Sequence, residues 1–301
     1  MPHAHANGIT IEYDTFGNPG DVPLLLIMGL GAQMILWDEE FCSTLAKRGH
    51  WVIRFDNRDI GLSTKLDDAG MPDVVAAVSA IVTRQPIAAP YTLSDMAADT
   101  AGLLDALDIP TAHVVGASMG GMIAQTVAIE HPRRVRTLTS IMSSTGSPDL
   151  PPARPEAMAA LLSPPPVGRS ESIERAVSVF RTIGSPGFPF DEEHVRERAA
   201  RSYDRCFHPI GVMRQLVAIL ASGDRTEALK SVTIPTLVIH GADDPLVPVE
   251  AGQATAAAVP GAQLVTLAGM GHDLPKPLWQ RVIDAICTLT QPAESRHRAA
   301  R

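Results

Sequence analysis

The sequence predicts an α/β fold in which a mostly parallel sheet is covered by helices on both faces. Short apolar runs typical of strands alternate with segments whose apolar residues recur at helical spacing. Most of these runs are continuous in Val, Ile and Leu, as expected of strands buried on both faces. The chain has 301 residues, 45% of them hydrophobic, which is enough for one enzyme-sized domain with a large core.

The first predicted elements follow the order strand, strand, helix, strand. Residues Ile9 to Phe16 alternate apolar and polar side chains, which predicts an edge strand, and a Gly-Asn-Pro-Gly turn follows. Residues 24–28 and 52–55 are the next predicted strands, and the amphipathic segment 41–48 lies between them.

A capping box predicts the start of the next helix. Thr92 and Asp95 have the spacing of such a box, and apolar residues recur at helical spacing behind them up to Leu107. An apolar strand at 113–117 follows, and the segment Val135 to Ile141 is the strand after it.

Ser118 lies in the motif Gly116-Ala117-Ser118-Met119-Gly120, between that apolar strand and a helix-patterned stretch at 122–130. So tight a turn from strand to helix forces the serine into strained backbone angles and requires small residues around it. The pentapeptide alone also arises by chance, but the strand before it and the helix after it make the pattern specific. Ser118 is therefore the predicted nucleophile.

The partners of a nucleophilic serine are expected later in the chain, in the order acid and then histidine. The predicted strand 236–240 is followed by Asp243 and Asp244, and the predicted strand 263–267 is followed by the glycine-flanked His272. The carboxyl ends of parallel strands meet at one edge of a sheet, where such folds place their sites. His272 is thus the predicted general base, and one of the two aspartates would hold its other ring nitrogen.

These residues give the chain a resemblance to the α/β-hydrolase superfamily that runs nearly from end to end. The matching stretches are 9–17, 24–31, 52–63, 112–121, 235–248 and 267–275. Within the superfamily the chain most resembles the aclacinomycin methylesterase group of small esterases. That narrower resemblance is carried by Leu-Leu-Ile-Met-Gly at 25–29, Arg-Phe-Asp-Asn-Arg-Asp at 54–59 and Gly-Met-Gly-His at 269–272.

The resemblance implies a role for each site residue. It makes Ser118 the nucleophile, His272 the base and Asp244 the acid, because the family pattern Asp-x-x-Val-Pro falls on 244–248; Asp243 is the alternative. The oxyanion would be bound by the N–H after the nucleophile, that of Met119, and by the N–H of Leu30 at the matching family position. The family commonly has histidine at position 28, where this chain, like the methylesterase group, has methionine.

The segment from Thr145 to about Arg225 interrupts the alternation of strands and helices. It contains many prolines and no convincing strand, and insertions at this position of the superfamily resemble a cap over the active site. We therefore expect a hydrolase core at 1–144 and 226–292, a helical cap at 145–225 and a flexible tail at 293–301. The apolar cap residues that either face the substrate or hold the cap together are Met158, Leu161, Leu162, Phe180, Phe188, Met213, Leu216 and Leu220.

The sequence thus predicts a serine carboxylesterase that acts on esters of small to medium apolar molecules through an acyl-enzyme. Haloperoxidase or perhydrolase activity without a cofactor and hydrolysis of carbon–carbon bonds use the same triad, and a slow-turnover ligand-binding module is a further alternative. Dehalogenase and epoxide-hydrolase chemistry is excluded, because related folds need an aspartate at the position of Ser118.

Composition limits the classes of partner that the protein is expected to bind. The net charge of −8 and the absence of a basic stripe argue against nucleic acid. No run of about 18 apolar residues and no secretion signal occurs, which predicts a cytoplasmic protein that does not span a membrane. Metal-ligand spacing and a dinucleotide fingerprint are also absent from the sequence, so neither metal nor cofactor is expected. A small-molecule ester is the expected partner, and the oligomeric state stays open.

Overall fold

An eight-stranded sheet forms the centre of the structure, a computed structural model that describes residues 2–83 and 85–299. Its strands are β1 (His3–Ala6), β2 (Ile9–Phe16), β3 (Val22–Ile27), β4 (His50–Phe55), β5 (Ala112–Ala117), β6 (Val135–Ile141), β7 (Thr236–Gly241) and β8 (Gln263–Leu267). They lie in the order β1-β2-β4-β3-β5-β6-β7-β8. The pairs β1–β2 and β2–β4 are antiparallel and the others are parallel, which confirms the mostly parallel sheet.

Burial explains the composition of the strands. Every residue of β5 and β7 is buried, because helices cover both faces of the sheet there. The strand β1 was not predicted from the sequence; it pairs with β2 through a tight turn at Asn7 and Gly8, whose φ angles of 47° and 77° are typical of a two-residue hairpin.

Helices cover the sheet on both sides, as the sequence predicted. They are α1 (Glu39–Lys47), α2 (Val74–Thr83), α3 (Leu93–Ala106), α4 (Met119–Glu130), α5 (Pro155–Leu161), α6 (Gly168–Ile183), α7 (Glu192–Arg205), α8 (Pro209–Ser222), α9 (Thr226–Leu229), α10 (Val249–Ala258) and α11 (Trp279–Ala299). One core layer buries Leu103 and Ile123 of α3 and α4 against the sheet. The opposite layer buries Phe41 and Ile286 of α1 and α11.

The predicted capping box of α3 is present. The backbone N–H of Thr92 donates to Oδ2 of Asp95 over 2.8 Å, so that one of the otherwise unpaired groups at this helix end is satisfied. At the other end of the chain, the backbone of 293–299 continues α11, where a flexible tail was predicted. The remaining tail residues, 300 and 301, lie outside the described residues.

Four helices, α5 to α8, occupy the insertion between the neighbouring strands β6 and β7. All of residues 145–225 are described, and no strand occurs among them. Helix α6 packs on both α5 and α7, whereas α8 packs on α2 and α3. The insertion begins after the carboxyl end of β6, on the side of the sheet where the predicted site residues lie, and the chain then passes through α9 before it enters β7 at the amino end of that strand.

Candidate active site

Ser118 joins β5 to α4 in a strained backbone conformation. Its φ of 56° and ψ of −123° lie outside the regions that side-chain-bearing residues ordinarily adopt. A Cβ atom at Gly116 would lie 2.0 Å from the carbonyl oxygen of Gly120, and one at Gly120 would lie 2.1 Å from that of Ile27. The tight turn therefore requires both glycines, and it lifts the serine side chain above the end of the sheet.

His272 lies between Ser118 and Asp244. Its Nε2 is 3.0 Å from Oγ of Ser118, and its Nδ1 is 2.7 Å from Oδ2 of Asp244. A proton on Nδ1 donated to the carboxylate leaves Nε2 free to accept the serine proton. The other oxygen of Asp244 accepts the backbone N–H groups of Leu246 and Val247, each over 2.9 Å, so the carboxylate has a fixed orientation.

Asp243, the alternative acid, faces a different partner. Its Oδ2 accepts the backbone N–H of Gly269 over 2.8 Å, in the loop that carries His272. The structure thus brings Asp244, and not Asp243, to the imidazole, while Asp243 holds the histidine loop.

The end of α6 also holds the histidine loop. The backbone N–H of His272 donates to the carbonyl oxygen of Ile183 over 2.7 Å, and the N–H of Gly271 donates to Oγ of Ser185 over 2.9 Å. A Cβ atom at Gly271 would lie 2.2 Å from the carbonyl oxygen of Gly184, so this close approach requires glycine. The position of the histidine therefore depends on the helical insertion as well as on the sheet.

The loop after β3 lies against Ser118. A Cβ atom at Gly29 would be only 3.0 Å from the Cβ of the serine. In the described chain no oxygen accepts the N–H of Leu30, the next residue. The N–H of Met119 belongs to the first turn of α4, whose donors have no acceptor within the helix. Both of the expected oxyanion donors are thus available beside the serine.

Gln215 of α8, which the sequence analysis missed, holds this loop. Its Oε1 accepts the backbone N–H of Gly31, and its Nε2 donates to the carbonyl oxygen of Arg58, each over 2.9 Å. The side chain is completely buried. On the other side, Nδ2 of Asn57 donates to the carbonyl oxygen of Met28 over 2.9 Å. In the sequence, this role is indicated by nothing more than an amide side chain within the apolar stretch that forms α8.

Two buried ion pairs hold the segment after β4. Arg58 makes two hydrogen bonds of 2.6 and 2.7 Å to Asp99, and Arg214 of α8 makes two of 2.9 and 2.7 Å to Asp59. Burial alone would raise the pKa of Asp59, but hydrogen bonds from Arg214 and the N–H of Leu66 outweigh it and lower that pKa. The segment is therefore braced in two places.

His240, at the end of β7, supports the acid loop. Its Nε2 lies 2.8 Å from the carbonyl oxygen of Val247 and 3.7 Å from Oδ2 of Asp244. Burial lowers the pKa of this imidazole. A neutral ring that donates to Val247 fits these contacts.

A cavity of about 1490 Å³ opens above the serine. Its walls include Leu30, Ser118, Met119 and His272 together with many residues of the insertion. Of the eight apolar insertion residues named from the sequence, five line the cavity: Met158, Leu161, Phe180, Phe188 and Leu216. The other three, Leu162, Met213 and Leu220, are described but lie away from it.

The described residues contain neither a metal-binding cluster nor a membrane-spanning helix. No three His, Cys, Asp or Glu side chains of 2–83 and 85–299 come close enough together to hold a metal ion. In the same residues no helix combines the length and the apolar character needed to cross a bilayer.

Comparison with known proteins extends the likeness over most of the chain. A family model described as alpha/beta hydrolase fold matches residues 22–275. Rhodomycin D methylesterase DnrP of Streptomyces peucetius is 31% identical, over 95% of this chain and 96% of that protein. A putative carbamate hydrolase, RutD of Variovorax paradoxus, is 28% identical over 87% of this chain and 89% of its own length.

A solved structure shows the same fold. The meta-cleavage product hydrolase of Pseudomonas fluorescens IP01 superimposes with a TM-score of 0.73 at 20% identity. The match covers 97% of this chain and 98% of that one.

Proposed function

Because the chain belongs to the α/β-hydrolase family and is a hydrolase of esterase type, we propose that it cleaves carboxylic esters of small to medium apolar molecules. The observation that carries the proposal is the hydrogen-bonded series from Oγ of Ser118 through His272 to Asp244, at 3.0 and 2.7 Å. It lies at the floor of a cavity large enough for such a substrate.

The first half of the proposed reaction forms an acyl-enzyme. Oγ of Ser118 attacks the ester carbonyl carbon as its proton passes to Nε2 of His272, and Asp244 stabilises the imidazolium that results. The carbonyl oxygen becomes an oxyanion that accepts the N–H groups of Leu30 and Met119. One such donor is worth about 2.7–4 kcal/mol in the transition state. The carbon–oxygen bond then breaks, and the imidazolium gives its proton to the departing alcohol.

Water completes the proposed cycle. His272 takes a proton from a water molecule, whose oxygen attacks the acyl carbon, and the same two N–H groups receive the second oxyanion. As the intermediate collapses, the imidazolium returns a proton to Oγ of Ser118, and the carboxylic acid leaves. The enzyme is then back in its starting state, and no electron donor or acceptor is needed.

The choice of an apolar ester rests on the cavity and on the relatives. Apolar side chains of the insertion, among them Leu161, Phe188 and Leu216, line the cavity and favour a substrate with apolar surface. The relative from Streptomyces peucetius is named as a methylesterase, which supports a methyl ester as one substrate to test. We propose the insertion, residues 145–225, as the cap that selects the substrate.

Loss of the nucleophile tests the proposal. Ser118→Ala is expected to lower turnover of a 4-nitrophenyl ester by about 10³- to 10⁶-fold with the fold intact, and His272→Ala should act similarly. An organophosphate should label the wild type at Ser118 and stop turnover, whereas EDTA should have no effect. Ser94→Ala, which changes an exposed serine at the start of α3, is the matched control. Near wild-type activity of Ser118→Ala with an unchanged melting curve would refute the assignment.

A further inference from the structure

Arg198 of α7 lines the cavity above Ser118 without a hydrogen-bonding partner. Among residues 2–83 and 85–299, no oxygen accepts a hydrogen bond from its guanidinium and no carboxylate pairs with it. Its central carbon lies 4.9 Å from the centre of the Phe180 ring, and Phe180 also lines the cavity. The side chain is thus held in place by an aromatic face, while its polar edge has no partner.

The other arginines of α7 are all paired. Arg196 binds Glu174 and Glu192, Arg201 binds Glu39, and Arg205 binds Gln33 and Asp56. Side chains around α7 thus provide acceptors for three of its arginines and none for the fourth, Arg198, whose charge is left available to a ligand.

The carboxylates nearest to Arg198 do not act as its hydrogen-bonding partners. Those of Asp38 and Asp273 act on Arg198 through their charge, but neither forms an ion pair with it. Both already have donors, since Asp38 accepts the N–H of Glu40 over 2.8 Å and Asp273 accepts the hydroxyl of Ser185. Burial lowers the pKa of Arg198, which reflects the cost of holding its charge away from water.

We propose that Arg198 binds a carboxylate of the substrate, at the end remote from the ester that Ser118 attacks. A guanidinium presents a planar set of donors that matches two carboxylate oxygens, and it binds them more strongly than neutral acceptors. The preferred substrate would therefore be a half-ester of a dicarboxylic acid or an ester with an equivalent acidic arm. This inference rests on the proposed ester hydrolysis and adds the chemical class of its substrate.

A series of 4-nitrophenyl esters tests the inference. Each chain length from glutarate to sebacate is made with a terminal carboxylate, a terminal primary amide and a terminal methyl group. In the wild type, kcat/KM should be highest for the carboxylate at the chain length that reaches Arg198. Arg198→Met should lower kcat/KM for that half-ester by about 10- to 100-fold and change the methyl-terminated ester by no more than about threefold.

Two variants serve as controls. Arg201→Met removes an equal charge from the same helix, but its side chain is exposed and pairs with Glu39, so it should leave the preference for the carboxylate unchanged. Arg198→Lys keeps the charge without the planar fork and should retain an intermediate preference. An equal effect of Arg198→Met on all three series, or an amide preferred as strongly as the carboxylate, would overturn the proposal.

Binding measurements separate this inference from the proposed function. Calorimetry with free suberate and the other dicarboxylates should show binding to the wild type and to Ser118→Ala, and its loss in Arg198→Met. If neutral esters are hydrolysed in a Ser118-dependent way while no dicarboxylate binds and no half-ester is preferred, only the inference about Arg198 fails. If no ester is hydrolysed at all, the proposed function fails, and the calorimetry alone decides whether Arg198 binds carboxylates.

Discussion

Single residues of the site are held at an energetic cost. A positive φ such as that of Ser118 costs a non-glycine residue about 1–3 kcal/mol. Hydrogen bonds on both sides of the serine maintain it: its N–H donates to the carbonyl oxygen of Ile141 over 2.9 Å, and its carbonyl oxygen accepts the hydroxyl of Ser143 over 2.8 Å. The serine is thus fixed to β6 before any substrate arrives.

The two adjacent aspartates give a prediction at the same scale. Asp244→Asn should lower kcat by about 10³- to 10⁴-fold, because an amide in place of the carboxylate upsets the tautomer of His272 and removes the partner of the imidazolium. Asp243→Asn should cost far less, since the carboxylate of Asp243 accepts the N–H of Gly269 and does not reach the imidazole. Steady-state kinetics on a 4-nitrophenyl ester measures both. Equal damage, or greater damage from Asp243→Asn, would assign the acid to Asp243.

At the scale of elements, α8 and the loop after β3 act together. The same helix supplies Gln215 to Gly31 and Arg214 to Asp59, so it holds two loops that meet beside the serine. Since the N–H of Leu30 precedes the bond made by Gly31, the orientation of the proposed oxyanion donor depends on a helix of the insertion.

Gln215 is therefore expected to be a positioning residue. Gln215→Leu leaves the N–H of Gly31 without its acceptor and should lower kcat about 10- to 100-fold with little change in KM, because an oxyanion is bound only in the transition state. Gln215→Glu restores an acceptor and should recover part of kcat. If either variant has a lower melting temperature but an unchanged kcat, Gln215 has a structural role only.

The insertion gives a second prediction at this scale. Phe188 lines the cavity and Met213 does not, so the two residues form a matched pair on the same insertion. Phe188→Ala should change the ratio of kcat/KM for short and bulky esters several-fold, because each methylene in an apolar pocket is worth about 1–3 kcal/mol. Met213→Ala should leave that ratio unchanged. Parallel changes for every ester in Phe188→Ala would show that the insertion does not select substrates.

At the scale of the whole molecule, the buried His240 couples stability to pH. His240 is completely buried and its pKa is lowered by that burial. Below the ordinary histidine pKa of about 6.5, the unfolded chain therefore binds more protons at this site than the folded protein. The free energy of unfolding consequently falls as the pH drops from about 6.5 toward the folded-state pKa.

A variant that cannot titrate isolates this effect. His240→Gln keeps a donor for the carbonyl oxygen of Val247 but has no ionisable group. The stability of the wild type relative to this variant should decrease between pH 7 and pH 5, by at most about 1.4 kcal/mol per pH unit. Urea unfolding at several pH values measures the difference. A constant difference across this range would show that His240 does not contribute to acid sensitivity.

The sequence by itself was sufficient to predict the sheet, its flanking helices and the positions of Ser118 and His272 at strand ends. These features depend on patterns that are local in the chain: apolar runs, helical periodicity, and glycines at a turn that no other residue can make. The loop that follows a strand lies at the edge of the sheet, independently of how distant segments fold. For that reason the sequence could predict that Ser118 and His272 meet at one edge of the sheet.

Only the tertiary structure separated Asp244 from Asp243, because adjacent residues of one loop differ in direction and not in sequence context. The same holds for Gln215, which meets Gly31 across 184 positions of the chain, and for Phe188 and Met213, which have the same apolar character. Whether an arginine such as Arg198 has a partner depends likewise on which side chains distant segments bring beside it. The spacing of apolar residues along the chain carries no information about such contacts. They form only when the insertion folds back onto the sheet and packing fixes the direction of each side chain.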